Sequence, residues 1–188
     1  MPAIAKARIA ILATTGFEQS ELEVPQKKLK EAGASVDVIS LKEGEIMGWQ
    51  MKDWGRPVKV DKTLGSVKPS DYDALVLPGG VINPDLLRVE PAAINFIKEF
   101  HATGKPLAAV CHAPWLLVEA GLIKGKRATS YKSIRTDLIN AGAKWEDSAV
   151  VHDGNIITSR QPSDLDAFTA AIVEAVEGRG TTHRTAAE

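Results

Sequence analysis

The sequence predicts an α/β protein built as a flavodoxin-like three-layer sandwich, a mostly parallel sheet with helices on both faces. Two observations lead to this prediction. Short aliphatic segments alternate with helical segments along the chain, and no repeat or linker interrupts them. The length of 188 residues, with 44% hydrophobic and 25% charged residues, suits one buried core. We therefore expect residues 1–188 to form a single domain, with 179–188 as a frayed tail.

The first part of the chain is typical of a βαβ unit. Residues 7–13 predict a strand, residues 20–32 predict a helix that ends at Gly33, and residues 35–41 predict a second strand. Residues 72–77 form a further apolar segment and predict a strand that stops at a Pro-Gly-Gly turn. Trp49 and Trp54 lie between these units and are expected to cover the core or an interface.

Two helix starts follow, each marked by a proline at the first turn: Asn83-Pro84-Asp85 and Glu90-Pro91. From the second start, Ala93, Ile97 and Phe100 recur at helical spacing until Gly104, which predicts an amphipathic helix. The next segments are predicted as a strand at 107–110, a helix at 111–121 and a short helix at 134–141.

The last part of the sequence predicts a hairpin followed by a C-terminal helix. Two apolar pairs at 150–151 and 156–157 flank a turn that contains Asp-Gly, so we expect an antiparallel hairpin at the sheet edge. Pro162 begins a last helix with apolar residues at 3-4-4 spacing.

Composition excludes several classes of protein. A net charge of -1 offers no basic stripe for phosphates, so no nucleic-acid partner is expected. No apolar run is long enough to span a membrane, which predicts a cytoplasmic protein without a membrane partner. We expect no cofactor, because the glycine-rich nucleotide motifs are absent, and no metal, because the four histidines lack zinc-site spacing.

The most informative segment is Ala109-Val110-Cys111-His112-Ala113-Pro114, which contains the only cysteine. It places Cys111 between a predicted strand and a predicted helix, with small residues on either side, as in a nucleophile elbow. Cys111 could instead simply pack in the core. If it is reactive, the helix N-terminus and a nearby proton donor are expected to lower its thiol pKa, so that thiolate predominates at neutral pH.

Further groups are expected at the same sheet edge, each with a structural alternative. Gly80 follows a strand and either forms a tight turn or, with the His112 amide, supplies an oxyanion hole. Glu18 is either an acid that the helix dipole favours near a helix start or a functional carboxyl of the site. His112 is either a helix-terminal surface residue or a general base, for which Asp85 is a candidate third group.

Together these residues resemble the PfpI branch of the ThiJ/PfpI superfamily, over about residues 7 to 177. The matching motifs are the Glu18 segment, the run 72–80, the cysteine elbow, and segments 129–131, 140–142 and 159–165. The resemblance implies a class I glutamine-amidotransferase-like fold with Cys111 as nucleophile, Glu18 as the carboxyl at its sulfur, and an oxyanion hole from the Gly80 and His112 amides.

The resemblance also implies that an acid from a neighbouring subunit completes a triad with His112. The matching position is Asp85, which is shorter than the glutamate of some relatives and follows a loop longer by one residue. A homodimer or higher homo-oligomer is therefore expected.

Three functions remain open. The first is a stress-response cysteine hydrolase acting on peptide or amide bonds, and the second is a deglycase or glyoxalase acting on methylglyoxal or its adducts with small molecules, peptides or proteins. The third is a non-catalytic oxidative-stress sensor or chaperone-like protein in which Cys111 is oxidised to a sulfinic acid held by Glu18.

Overall fold

The computed structural model describes residues 2–178, and the predicted tail 179–188 lies outside them. The strands are β1 (Arg8–Leu12), β2 (Phe17–Glu18), β3 (Ser35–Ser40), β4 (Glu45–Gln50), β5 (Asp53–Lys59), β6 (Lys62–Thr63), β7 (Ala74–Leu77), β8 (Leu107–Val110), β9 (Arg127–Ala128), β10 (Lys144–Trp145), β11 (Val150–Asp153) and β12 (Ile156–Ser159). The helices are α1 (Gln19–Glu31), α2 (Ile82–Arg88), α3 (Pro91–Ala102), α4 (Pro114–Glu119), α5 (Arg135–Asn140) and α6 (Leu165–Val176).

Seven strands form the central sheet in the order β11-β12-β8-β7-β1-β3-β6. All neighbouring pairs are parallel except β11 and β12, which form the predicted antiparallel hairpin at one edge. The five central strands follow the flavodoxin-like order 2-1-3-4-5, counted along these parallel strands. The predicted fold class is confirmed.

Helices cover both faces because alternate strand residues point to opposite sides of the sheet. On β1, Ile9 and Ile11 are buried in a cluster that includes apolar residues of α1 and α6. Ala10 and Leu12 are buried on the other face, with residues of α2, α3, α4 and α5. β7 and β8 are buried along their whole length, as expected for inner parallel strands.

A hairpin of β4 and β5, together with β2, forms a three-stranded sheet that the sequence did not predict. It is fastened to α1 by Gln19, whose Oε1 accepts a hydrogen bond from the Arg56 amide at 2.7 Å. A Cβ atom at Gly48 or Gly55 would overlap the Gln19 amide, which explains both glycines. The hairpin therefore packs beside the loop between β1 and α1.

Residues 2–178 contain neither a membrane-spanning helix nor a cluster of metal ligands. No helix in this range is both long and apolar enough to cross a membrane. The same residues contain no group of three or more His, Cys, Asp or Glu side chains arranged to hold a metal ion.

Candidate active site

Cys111 lies in a sharp turn between Val110, the last residue of β8, and Pro114, the first residue of α4. Its φ angle is 64°, in the left-handed region that residues with a side chain rarely adopt. Hydrogen bonds hold the turn on both sides: the Cys111 amide donates to the Ser159 carbonyl at 3.0 Å, and its carbonyl accepts from the Tyr131 amide at 2.8 Å. The backbone therefore has the strained strand-to-helix turn that an elbow requires.

Gly79 and Gly80 pack against this turn so closely that neither position can hold a side chain. A Cβ atom on Gly79 would lie 2.7 Å from the Val110 carbonyl oxygen and 2.8 Å from Cys111 Cβ. One on Gly80, whose φ is 76°, would lie 2.6 Å from a backbone oxygen of the loop after β1. Close approach as well as turn geometry requires glycine here. The amides of Gly80 and His112 both interact with the Cys111 sulfur.

α1 contributes a fully buried carboxyl group, that of Glu21, to the same place. The Gly79 amide donates to Glu21 Oε2 at 2.9 Å. The Cys111 thiol is close enough to interact with this carboxyl. Glu21 Oε1 is buried and has no well-aligned hydrogen-bond partner among residues 2–178, so the alignment between thiol and carboxyl is poor. Burial raises the pKa of Glu21 to about 8, against the hydrogen bonds that lower it. At neutral pH Glu21 is therefore mostly protonated, and its contact with Cys111, in which the thiol donates to the carboxyl, favours the neutral thiol.

The prediction that Glu18 is the acid at the sulfur requires correction, because the structure places Glu21 there. Glu18 precedes the first residue of α1 in an extended conformation, and its carboxyl accepts a hydrogen bond from Ser20 Oγ at 3.4 Å. Its backbone does reach the site, since the Glu18 amide donates to the Gly79 carbonyl at 3.3 Å. Glu21 turns inward because it shares the buried side of α1 with Leu22.

The Cys111 thiol is buried, with 6% of the residue exposed. Burial is the largest cause that raises the pKa of this thiol, and negative charge on Glu21 adds to the rise, while the Gly80 and His112 amides oppose it. The helix that follows has only six residues, fewer than predicted, so its dipole adds little. The prediction of a lowered thiol pKa is therefore wrong for this chain, and the sulfur needs a base.

The imidazole of His112 lies beside the sulfur. Its Nδ1 lies 3.1 Å from Cys111 Sγ, and its Nε2 lies 3.0 Å from Ser133 Oγ. The Tyr131 ring stacks on the imidazole at 5.0 Å between centroids, and Trp115 meets it edge-on at 5.4 Å. Burial lowers the pKa of His112, so the ring is neutral at neutral pH. A neutral imidazole beside a thiol can accept its proton as the sulfur attacks.

Most of the chain matches one protein family. A family model described as the DJ-1/PfpI family matches residues 7–175. The chain belongs to the DJ-1/PfpI family. A Bacillus subtilis protein named "Putative cysteine protease YraA" is 48% identical over 162 residues, which cover 86% of this chain and 93% of that protein. Deglycase PfpI of Pyrococcus furiosus is 42% identical over 167 residues, which cover 89% and 98%. The resemblance to the PfpI branch is confirmed.

A solved structure of this family gives the same architecture. Drosophila melanogaster DJ-1beta superposes with a TM-score of 0.83 at 31% sequence identity, covering 92% of this chain and 91% of that one. The sheet and helix layers described above are therefore those of the DJ-1/PfpI family.

Asp85, the predicted third group, lies on α2 with an exposed side chain. Among the described residues, His112 Nε2 meets Ser133 Oγ rather than Asp85. The chain by itself thus brings Cys111, His112 and Glu21 together without Asp85. The prediction that Asp85 reaches His112 from a neighbouring subunit stays a prediction.

Asn83 is a buried residue beside the double-glycine turn. The sequence analysis predicted it to be the cap residue at a helix start. It lies inside α2, and its Nδ2 donates to the carbonyls of Pro78 at 2.7 Å and Gly79 at 3.3 Å. Its Oδ1 accepts from the Thr14 amide at 2.7 Å. Asn83 therefore joins the loop after β1 to the double-glycine turn and fixes the position of the Gly80 amide.

Proposed function

We propose that this chain is a cysteine-dependent deglycase that acts on methylglyoxal adducts of small molecules, peptides or proteins. The observation that carries the proposal is the contact between the buried Cys111 sulfur and the neutral imidazole of His112 at 3.1 Å. Only 6% of Cys111 and 7% of His112 are exposed, which favours a small carbonyl group over an extended polypeptide. The name of Deglycase PfpI supports the same substrate class.

The first chemical step forms a carbon–sulfur bond. The thiol proton of Cys111 passes to His112 Nδ1 as the sulfur attacks the carbon that carries the amine in the adduct. The carbon–nitrogen bond breaks, the amine leaves with a proton from the imidazolium, and a hemithioacetal remains on the sulfur. The amides of Gly80 and His112 would stabilise negative charge on the substrate oxygen.

The second step needs no outside oxidant. A proton moves from the hemithioacetal carbon to the neighbouring carbonyl carbon through an enediol, which oxidises the first carbon and reduces the second. The product is a thioester of lactic acid, which water hydrolyses to lactate and the free thiol. Glu21 and His112 are the groups at the sulfur that can exchange protons with the substrate.

Hydrolysis of peptide or amide bonds is the second candidate. Acyl transfer uses the same nucleophile, base and oxyanion donors, with the carbon–nitrogen bond broken from a thioester-forming tetrahedral intermediate. The strained turn at Cys111 and the cysteine-protease name of YraA favour this candidate.

We further propose that the enzyme works in the cytoplasm as a homodimer or larger homo-oligomer. Asp85 lies on a helix with exposed apolar neighbours, since Val81, Leu86 and Val89 are 54%, 44% and 72% exposed. Such a cluster around an acid supports a contact with a second copy. In that arrangement the acid of one subunit would approach His112 of the other, where it would compete with the Ser133 hydroxyl for Nε2.

The test is turnover by the wild type and by Cys111→Ala and Cys111→Ser. The substrates are methylglyoxal, a methylglyoxal-modified peptide and a fluorogenic peptide amide. We expect lactate and free amine from the modified peptide, and loss of at least about a hundredfold in both variants, because the nucleophile is gone.

The alternatives predict different products. Cleavage of the peptide amide without lactate would replace the deglycase by the protease. No turnover of any substrate, combined with a gain of two oxygens at Cys111 after mild peroxide in intact-mass analysis, would favour the sensor or chaperone-like function.

A further inference from the structure

The imidazole of His112 has two partners, one on each nitrogen. Nδ1 faces Cys111 Sγ at 3.1 Å, and Nε2 faces Ser133 Oγ at 3.0 Å. Ser133 lies in the single 3-10 turn Lys132–Ile134 that precedes α5. A hydroxyl from the same chain therefore occupies the position at which a catalytic triad holds its third group.

The backbone fixes this hydroxyl relative to the sulfur. The Tyr131 amide donates to the Cys111 carbonyl at 2.8 Å, and the Tyr131 ring stacks on His112 with an angle of 28° between the planes. Ile134, on the other side of Ser133, is buried in the core. Because both neighbours of this turn are anchored, Ser133 Oγ needs only one side-chain torsion to reach Nε2.

The proton count decides which group donates. A neutral imidazole carries one N–H, and its other nitrogen is an acceptor. The thiol proton of Cys111 must leave toward Nδ1, so Nδ1 has to be the acceptor before the reaction. Nε2 then carries the hydrogen and donates it to Ser133 Oγ, which can accept because a hydroxyl has two lone pairs.

We propose that Ser133 is a positioning residue that accepts the Nε2–H of His112 and thereby keeps the Nδ1 lone pair directed at Cys111. The inference rests on the proposed function for its effect on turnover, but the tautomer itself is a property of the resting chain. A serine carries no charge, so it orients the ring without stabilising the imidazolium as a carboxylate would. The proton is then easily returned to the leaving amine.

The first measurement is the tautomer of His112 by nitrogen-15 NMR of the ring, in the wild type, Ser133→Ala and Ser133→Thr. The wild type is expected to carry its hydrogen on Nε2. Ser133→Ala is expected to give a mixture of both tautomers, and Ser133→Thr, which keeps the hydroxyl, is expected to restore the wild-type signals. Ser66→Ala is the matched control, since Ser66 is an exposed serine whose hydroxyl donates to the Thr63 carbonyl at 2.8 Å.

The second measurement follows the chemistry of the sulfur. For Ser133→Ala we expect kcat to fall about tenfold with KM unchanged within about twofold, because one positioning hydrogen bond is lost and no substrate contact is removed. Alkylation of Cys111 by iodoacetamide at neutral pH is expected to slow by a similar factor. Ser133→Thr should recover most of both rates.

Two results would overturn the inference. One is a Ser133→Ala chain whose His112 keeps the wild-type tautomer and alkylation rate. The other is an unchanged tautomer in Ser133→Ala together with a changed one in Asp85→Asn, which would assign Nε2 to the acid of a second copy. Because the tautomer and alkylation rate need no substrate, a chain that turns over nothing would refute the proposed function and leave this inference testable.

Discussion

Two non-glycine residues of the described chain have positive φ angles, Cys111 at 64° and Met51 at 59°, and they lie in opposite surroundings. Met51 is 86% exposed in the turn between β4 and β5. Cys111 is 6% exposed, and backbone hydrogen bonds to Ser159 and Tyr131 hold its turn on both sides. At Met51 the backbone strain is therefore incidental to an exposed turn. At Cys111 the buried surroundings enforce the same strain.

The difference shows how the site is built. Strain costs on the order of 1–3 kcal/mol and persists at a buried position only if neighbouring groups determine the conformation. At the elbow those groups are the double-glycine turn, Glu21 and Asn83, and each of them also affects the sulfur or its amide donors. The hairpin turn has no comparable set of buried polar contacts. Substitutions in the two regions should therefore differ in both size and kind.

The largest expected effect concerns Glu21 and pH. In an unfolded chain the pKa of this carboxyl is near 4.5, whereas the folded chain holds the proton until about pH 8. The folded state thus binds more protons between these values, so the stability that a protonated Glu21 provides is present below 4.5 and is lost as pH rises to 8. From pH 5 to 8 we expect its contribution to fall by about 3 kcal/mol.

Urea unfolding at several pH values checks this, with Glu21→Gln as the variant. The glutamine cannot ionise, so its unfolding free energy should lack this part of the decline. The groups that face Glu21 are the Cys111 thiol, the Gly79 and Gly80 amides and, at longer range, the Glu18 carboxyl. Glu99→Gln, at an exposed position of α3, is the control and should keep the full slope. A Glu21→Gln chain with the wild-type slope would contradict a protonated Glu21.

The two glutamates also mark what the sequence could and could not predict. An acid near the start of α1 was expected at the sulfur, but Glu18 and Glu21 are three residues apart and only the exact helix start decides which one points inward. The structure begins α1 at Gln19 and buries Glu21 on its inner side. Helix boundaries are the least certain part of sequence analysis, so the type of group was predictable and its position was not.

Some other features of the fold and site were predictable from the sequence, and some were not. The strand order, the edge hairpin of β11 and β12 and the turn at Cys111 follow from aliphatic segments, an Asp-Gly turn and small flanking residues. The hairpin of β4 and β5 carries no such turn signal, since its tip residue is Met51. The thiol pKa also could not be read from local motifs, because burial by distant segments outweighs the amides beside the sulfur.

A smaller effect is expected at Asn83, which fastens the double-glycine turn. Asn83→Ala leaves the Pro78 carbonyl and the Thr14 amide without their side-chain partner in a buried place. We expect a loss of about 1–2 kcal/mol in unfolding free energy, because buried polar groups are left unsatisfied. Loss of the fixed Gly80 amide should also lower kcat several-fold.

The control for this variant is Asn95→Ala, at an exposed position of α3, which should change neither quantity. The ratio of kcat to KM effects separates the two roles of Asn83. A chain that loses stability with kcat unchanged would show that Asn83 supports the fold without positioning the amide.

The smallest effect is expected at Met51. Asparagine tolerates the left-handed region better than methionine, so Met51→Asn should raise the unfolding free energy by about 0.5–1 kcal/mol. Met51→Ala keeps a Cβ atom and the strain, so it should stay close to the wild type, and turnover should be unchanged in both. No equivalent relief is available at Cys111, because the side chain that makes the backbone strained there is also the proposed nucleophile. If Met51→Asn gave no gain, the strain at φ 59° would be too small to separate the two regions.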